Sequence, residues 1–441
     1  MKKRMISLML AGMMAVGMTG CEKNAISNSS VNLTENYVGK DTEQSEEENL
    51  TIGAEDPAGT EIMDMDTDAK SSDETYVNFS MEILRRVSTS GENSMISPLS
   101  ILTALTMTEN GAAGETLTQM EQVLAGGTSV EQQNADLAAY MKELPDTESG
   151  HMNQANSIWV KNVDDAFTVN EAFLQKNAET FGADIYSAPF DEQTVKDINT
   201  WVSEETEGMI PKMIERIEAE NVMFLVNAVA FEADWQDSYE SYQVSEREFY
   251  HADGSSETVD MMSSEEYQYL EDENTTGFIK PYKDGYSFVA FLPDKGIAMK
   301  DYLVGFTAEK YANLLENINT DVIVNARLPK FTSEFSVELN ESLIDMGMPL
   351  AFEPSKADFS ALGTYNDGNL YISMVLHKTY INVDEMGTKA GAATIVAVDE
   401  CATAMEQEVK NVTLDRPFVY AVIDNENRLP VFIGVVEKIA E

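Results

Sequence analysis

The stretch Glu385-Met386-Gly387-Thr388-Lys389-Ala390-Gly391-Ala392-Ala393-Thr394 decides how the rest of the chain is read. Its Gly, Ala and Thr residues make an uncrowded segment with little side-chain bulk to fix it in one place. From Thr388 onward the same residues suit a strand that slides between two others. Side chains in a strand alternate between faces, so one face carries Thr388, Ala390, Ala392, Thr394, Val396 and Val398. That face is small at first, then apolar, and uncharged throughout. Lys389, Gly391, Ala393, Ile395, Ala397 and Asp399 form the other face, and both charges fall there. On its own the stretch leaves open an ordinary Gly/Ala-rich turn.

Working outward, further short motifs stand in a fixed order. Ile96-Ser97-Pro98-Leu99-Ser100 precedes a Thr/Leu/Met-rich helical run and then Asn110-Gly111-Ala112-Ala113-Gly114-Glu115-Thr116. Ala155-Asn156-Ser157-Ile158-Trp159-Val160 and Leu225-Val226-Asn227-Ala228-Val229-Ala230-Phe231, with Trp235 after it, read as central strands. Ile198-Asn199-Thr200-Trp201-Val202 and Thr206-Glu207-Gly208-Met209-Ile210-Pro211 form a helix and a turn between them. Pro281-Tyr282-Lys283, Leu328-Pro329-Lys330-Phe331, Met346-Gly347-Met348, Ala357-Asp358-Phe359-Ser360 and His377-Lys378 lead to the opening stretch. Asp415-Arg416-Pro417-Phe418 and Phe432-Ile433-Gly434 follow it. Each motif is weak alone. Their joint order resembles the serpin family over about residues 75 to 441.

The resemblance implies an α+β fold in which helices pack around a large central mixed sheet, with further sheets and an exposed reactive loop. Composition agrees. Hydrophobic residues make up 43% of the 441, ample for one large core. Val322-Ile323-Val324-Asn325-Ala326-Arg327-Leu328 and Phe418-Val419-Tyr420-Ala421-Val422-Ile423 read as strands. Residues 99–109, 115–125 and 171–182 show helical spacing. Helices dominate the first third and strands the rest, which points to α+β rather than βαβ alternation.

The N-terminus reads as an address. Lys2-Lys3-Arg4 is a basic region, Met5 to Val16 an apolar one, and Met18-Thr19-Gly20-Cys21 resembles a bacterial lipobox. Residues 1–20 are expected to be a lipoprotein signal peptide and Cys21 the lipidated first residue, membrane-bound on the outside of the cell. A plain secretory signal is the alternative. From Leu33 to Thr75 there are fourteen Asp/Glu and two Lys, so residues 21–72 read as a lipidated Cys and an acidic disordered tether that holds the domain off the surface. The folded domain is expected at 73–441. Asp64-Met65-Asp66-Thr67-Asp68 hints at a calcium loop, but Ala69 and Thr75 stand where Gly and Glu are needed, so no metal is expected.

The formal charge is −48. Nucleic acid is thereby disfavoured as a partner. Solubility and mutual repulsion suffice to explain the charge, and steering of cationic partners is the sharper reading. The chain has two cysteines, Cys21 and Cys401; with the first lipidated no internal disulfide forms. No G-x-S-x-G, H-E-x-x-H, C-x-x-C or phosphate-loop motif occurs, and His151, His251 and His377 lack metal-ligand spacing. No enzyme activity and no cofactor are expected, and the protein is expected to be a monomer.

By resemblance, the chain is a single-use inhibitor of serine proteases. The protease cleaves the loop at about 385–416, forms an acyl-enzyme, and is carried away as the hinge inserts into the central sheet. Glu385, Gly387, Thr388, Ala390, Gly391, Ala392, Ala393 and Thr394 match the hinge. Ser97, Ser100, Asn227 and His377 match the shutter, a polar cluster beneath the strands that part. Trp235, Lys330 and Glu385 match the breach, where the hinge enters, with a Lys330–Glu385 ion pair expected. Between Gly387 and Pro417 the chain is several residues longer than usual. Counting from the hinge puts the scissile bond at Cys401-Ala402; counting back from Pro417 puts it near Met405-Glu406. No Lys, Arg or aromatic residue lies between Lys389 and Lys410, so elastase-like or subtilisin-like pockets fit best. A non-inhibitory serpin acting as a surface binding protein is the alternative, and the small inward hinge residues argue against it.

Overall fold

The computed structural model describes residues 26–37, 72–147, 149–366, 368–388 and 407–439. In chain order, β1 (Val31–Asn32) precedes α1 (Ser72–Val87), β2 (Ser94–Ile96), α2 (Pro98–Glu109), α3 (Gly114–Ala125) and α4 (Val130–Glu143). Next come β3 (Gly150–Lys161), β4 (Phe167–Val169), α5 (Glu171–Phe181), β5 (Asp184–Ala188), α6 (Glu192–Glu205) and β6 (Met223–Asp234). The strands β7 (Val244–Tyr250), β8 (Ser256–Glu266), β9 (Tyr269–Glu271), β10 (Thr275–Pro281) and β11 (Tyr286–Pro293) lead to α7 (Met299–Gly305) and α8 (Ala308–Glu316). Then follow β12 (Val322–Pro329), β13 (Phe331–Glu338), α9 (Asn340–Met346), β14 (Gly363–Tyr365) and β15 (Met374–Val383). The chain closes with β16 (Gly387–Thr388), β17 (Glu408–Thr413), β18 (Phe418–Asp424) and β19 (Pro430–Val436).

These strands build a seven-stranded sheet in the order β1-β5-β3-β6-β16-β15-β13, a six-stranded sheet β2-β19-β18-β11-β10-β9 and a four-stranded sheet β17-β12-β8-β7. The helices expected at 99–109, 115–125 and 171–182 are α2, α3 and α5, and the expected α+β architecture holds. Helix α2 is buried on every side, as a helix apolar all round must be. Its start is set by Pro98 in the first turn and by the Ser97 hydroxyl, which accepts from the Ser100 N–H. The main core lies between α2, the six-stranded sheet and one face of the large sheet. A second, smaller core lies on the other face, where Trp159, Phe224, Val226 and Ala228 pack against Ile198, Trp201 and Val202 of α6. Trp159 stacks on Tyr186 at 4.2 Å between ring centroids. Among the described residues no helix is long and apolar enough to cross a membrane.

One expectation needs correction. Residues 26–37 are not part of a free tether, because they dock on the domain. Val31 and Asn32 pair antiparallel with Ser187 and Tyr186. The Leu33 N–H donates to the Ile185 carbonyl at 2.7 Å. The Ser27 N–H and hydroxyl donate to Asp197 at 3.0 and 2.5 Å, and the Ser30 hydroxyl donates to the same carboxylate at 2.6 Å. Ile26 packs on the second core, and Leu33 and Tyr37 on the main one. Acidic composition argues for disorder only where no apolar residue finds a partner. Here Ile26, Leu33 and Tyr37 do. The acidic residues 38–71 therefore join two points fastened to the body. The calcium-like run at 64–68 and Cys21 lie outside the described residues.

Glu109, the last residue of α2, is fully buried, and neither carboxyl oxygen has a hydrogen-bond partner among the described residues. Burial, with Glu121 and Glu131 adding to it, pushes its pKa up to about 9. The folded chain thus holds a proton that the unfolded chain releases near pH 4.3. Folding takes up that proton between these values, so stability falls as pH rises through them, by up to about 1.4 kcal/mol per pH unit. Glu109→Gln keeps the shape and removes the titration. Its melting temperature is expected to exceed that of the parent at pH 8 and to match it near pH 4. Scanning calorimetry at the two pH values measures this; an equal difference at both would reject the assignment.

Candidate functional site

The site is a slot in the large sheet that is closed along most of its length and opened at one end. Strands β6 and β15 pair directly and in parallel from Met374↔Phe224 to Tyr380↔Ala230. Beyond that stretch β16 sits between them. Gly387 and Thr388 pair antiparallel with Asp234 and Ala233 of β6, and Thr388 with Val383 of β15. The start of the hinge is therefore already a strand. Thr388 is 1% exposed, and its hydroxyl lies 2.7 Å from the Tyr282 hydroxyl. Gly387 is required here: its φ is +154°, and a Cβ would meet the Ala233 carbonyl oxygen at 2.1 Å.

This narrows the loop expected at 385–416. Gly387 and Thr388 are held in the sheet, the Glu385 and Met386 carbonyls accept from the Tyr239 and Trp235 N–H groups, and β17 pairs in parallel with β12 from residue 408 onward. Ala390, Gly391, Ala392, Ala393, Thr394 and the bait residues Cys401 and Ala402 lie outside the described residues.

Around the open end, the residues matched to the breach come together. The Lys330 ammonium donates to Glu385 at 3.0 Å, with Asp260 3.5 Å away. Burial is the largest single influence on Glu385 and works against its ionisation, but the Lys330 hydrogen bond, a backbone hydrogen bond and the Lys330 charge together outweigh it, so the carboxyl titrates below its ordinary range. The pair is about one-third exposed on each side, so its energy is near that of a surface bridge, about 0–1 kcal/mol. Trp235 holds the hinge more directly. Its backbone N–H donates to the Met386 carbonyl at 2.9 Å and its indole N–H to the Asp384 carbonyl at 2.9 Å. The indole stacks on Tyr282 with centroids 4.2 Å apart and planes 5° apart. The buried Lys280 ammonium lies 4.4 Å from the Tyr239 ring centroid and 5.3 Å from that of Trp235. It pairs with buried Glu266 at 3.0 Å. Such a paired, hydrogen-bonded cation is tolerated in a core where a lone one is not.

The four residues matched to the shutter also meet, midway along the closed part of the slot. Asn227 and His377 are register partners across β6 and β15, and Asn156 is the partner of Asn227 across β3 and β6. The Ser97 N–H donates to His377 Nε2 at 3.1 Å. His377 Nδ1 therefore carries the hydrogen and donates to Asn227 Oδ1. Asn227 Nδ2 donates to Ser100 Oγ and Asn156 Oδ1, and Ser100 Oγ donates to Asn156 Oδ1 at 3.1 Å. One chain of hydrogen bonds thus ties three strands to the start of α2. Asn156 and Tyr282, like Tyr239, Lys280, Glu266 and Asp260, are participants that sequence pattern does not mark as site residues. Asn156 and Tyr282 sit inside quoted motifs, but their roles depend on which strand lies alongside.

The family whose model matches this chain is described as serpin (serine protease inhibitor), and the match covers residues 74–439. The chain belongs to the serpin family. It is 31% identical to the leukocyte elastase inhibitor of Homo sapiens over 366 residues, 78% of this chain and 92% of the relative. The native crystal structure of the thermophilic serpin tengpin has a TM-score of 0.81 at 43% identity, covering 93% of this chain and all of tengpin. Tengpin in its latent state gives 0.73 at 46% identity, covering 86% of this chain and all of tengpin. The family is described by protease inhibition rather than by catalysis, and this chain, as a member, is not an enzyme. Among the described residues no group of His, Cys, Asp and Glu is placed to hold a metal ion.

His377 is fully buried, and burial lowers its pKa to about 3. The unfolded chain binds the proton near pH 6.5, so the stability tied to neutral His377 is complete above that value and is lost as pH falls toward 3. His377→Gln is expected to lower the melting temperature at pH 7 by a few degrees, since Asn227 and the Ser97 N–H lose their partners at about 1–3 kcal/mol each. The variant should also lose less between pH 7 and pH 5 than the parent does. Melting curves at both pH values measure this. A parallel decline in the two proteins would mean that His377 does not carry the acid sensitivity.

Proposed function

We propose that this serpin is inhibitory, and that it traps serine proteases by loop cleavage followed by strand insertion. The observation that carries the reading is the seat of Thr388. The first inward hinge residue already occupies the slot between β6 and β15, and the inward positions after it are Ala390 and Ala392, small enough to follow. The geometry supplies a driving force. Strands β6 and β15 are parallel to each other, and β16 is antiparallel to both. Insertion therefore replaces one parallel ladder by two antiparallel ones, which are slightly more stable per residue. From Thr388 to Cys401 the inserted strand would span about 46 Å at about 3.3 Å per residue. The His377–Asn227 bond must break and re-form around it, which supplies part of the barrier that keeps the native state metastable.

In this reading the protease serine oxygen attacks the carbonyl carbon of Cys401. The Cys401–Ala402 amide bond breaks, an ester forms, and Ala402 leaves as a new amino terminus. Insertion then removes the ester from the geometry that water attack needs. The small residues around the bond suit elastase-like or subtilisin-like pockets, and the likeness to a protein named leukocyte elastase inhibitor supports the same class. We also infer that Cys21 carries the acyl chains and that the protein sits on the outer face of a cell membrane.

Mixing with elastase and running a denaturing gel tests the mechanism. A heat-stable covalent adduct is expected, and Thr388→Arg should give cleaved protein without adduct, since a charge cannot enter the buried slot. Undiminished adduct from that variant would sink the insertion mechanism, and cleavage without adduct by the parent would favour a non-inhibitory serpin. The bait is read separately from the mass of the released peptide. Cleavage after Cys401, or next after Ala402, is expected; cleavage at Met405 or beyond would move the bait.

A further inference from the structure

We propose that the edge of the large sheet formed by β1, β5 and the turn after β3 lies against the phospholipid headgroups that hold the Cys21 acyl chains. The proposal rests on the lipidation reading and replaces the expectation that the domain stands off the surface. The argument is one of chain length. Ile26 is fixed in the second core against α6, and Cys21 is only five residues before it. A fully extended chain covers at most about 3.6 Å per residue, so Ile26 stays within about 18 Å of the lipidated residue. A compact domain of this size is about 50 Å across. One particular side of the body is thus held close, and the acidic residues 38–71 lie downstream of the docked segment, where they add nothing to the reach.

The surface at this edge suits its neighbour. Residues 26–34, Ile-Ser-Asn-Ser-Ser-Val-Asn-Leu-Thr, carry no charge in a chain that has 77 Asp and Glu. Asp164 and Asp165 of the turn after β3 and Glu35 stand exposed beside this run, so the short tether, rather than charge, holds the edge near the headgroups. Two large apolar side chains also stand exposed here, Val31 at 53% and Val163 at 40%. They are neighbours through Ser187, which pairs with Val31 and whose hydroxyl accepts from Asn162 at 3.0 Å.

Energy transfer from single dyes to rhodamine-labelled headgroups tests the orientation. The full-length lipidated protein is placed in phosphatidylcholine vesicles, in a Cys401→Ser background, with a dye at Val163→Cys or at Val304→Cys. Val304 is exposed on α7, which packs on the six-stranded sheet. Transfer at position 163 should exceed that at 304 several-fold, and a thirty-residue Gly/Ser insert between residues 25 and 26 should bring the two to one low level. Equal transfer at both positions without the insert overturns the orientation. The N-terminal peptide mass separates the two ideas: an acylated peptide with equal transfer rejects the orientation alone, and an unacylated peptide rejects both.

Discussion

The direct pairing of β6 with β15 is the constraint on which the rest of this molecule depends. The two strands are parallel, central and buried, and they are held together over seven register pairs. At one end β16 has wedged them apart. At mid-length the Asn156–Asn227–His377 row ties them to β3 and to the first turn of α2. Across the front lies α6, packed on Trp159 and Phe224. Every element near the slot either holds it shut or holds it open. A sheet built only for stability would not leave a Gly with φ +154° and a buried Thr hydroxyl at such a junction.

The two ends of the slot are held by different physics. The breach is a stack: Tyr282 on Trp235, a buried ammonium beside Trp235 and Tyr239, and bonds from the Trp235 indole and backbone N–H groups to the carbonyls of residues 384 and 386. Its ring and cation contacts are weakly directional, and its hydrogen bonds from Trp235 and Lys330 fasten residues 384–386 just ahead of the inserted residues. The shutter is a directional chain of short-range hydrogen bonds in a dry interior, where an unmade bond is expensive. The first can yield gradually; the second breaks all at once. That contrast suits a device that must begin to open at one end and resist in the middle.

Much of this was legible in the sequence, and what was not has identifiable causes. The alternating runs marked β12 and β18, the resemblance marked β6, and the apolar spacing marked α2, α3 and α5. The Lys330–Glu385 pair was legible only through the resemblance, which matches both residues to the breach. Ser97, Asn227 and His377 were brought together only by resemblance, since they lie as much as 280 residues apart and no periodicity links them. Asn156 and Tyr282 were hidden for a related reason: their partners are fixed by strand register, and a shift of one residue would turn each to the other face. The docking of residues 26–37 was invisible because its decisive partner, Asp197, sits on a helix some 170 residues later. Four alternating residues, Val31 to Thr34, are too short a pattern to outweigh an acidic neighbourhood.

The topology also bears on how such a protein is made. Strand β2 near the start of the domain pairs with β19 at its end, Ile96 with Ile433 and Ser94 with Val435. The Tyr76 hydroxyl on α1 donates to the Pro430 carbonyl at 3.0 Å. Strands β18 and β19 are buried at every residue. The six-stranded sheet therefore cannot close until the last residues have left the ribosome, and contacts of this sequence separation form slowly. On the proposed reading that the chain is exported, that delay is an advantage. Until β19 arrives, β18 lacks one of its two neighbours and β2 has none. The six-stranded sheet is complete only when the C-terminal hairpin arrives.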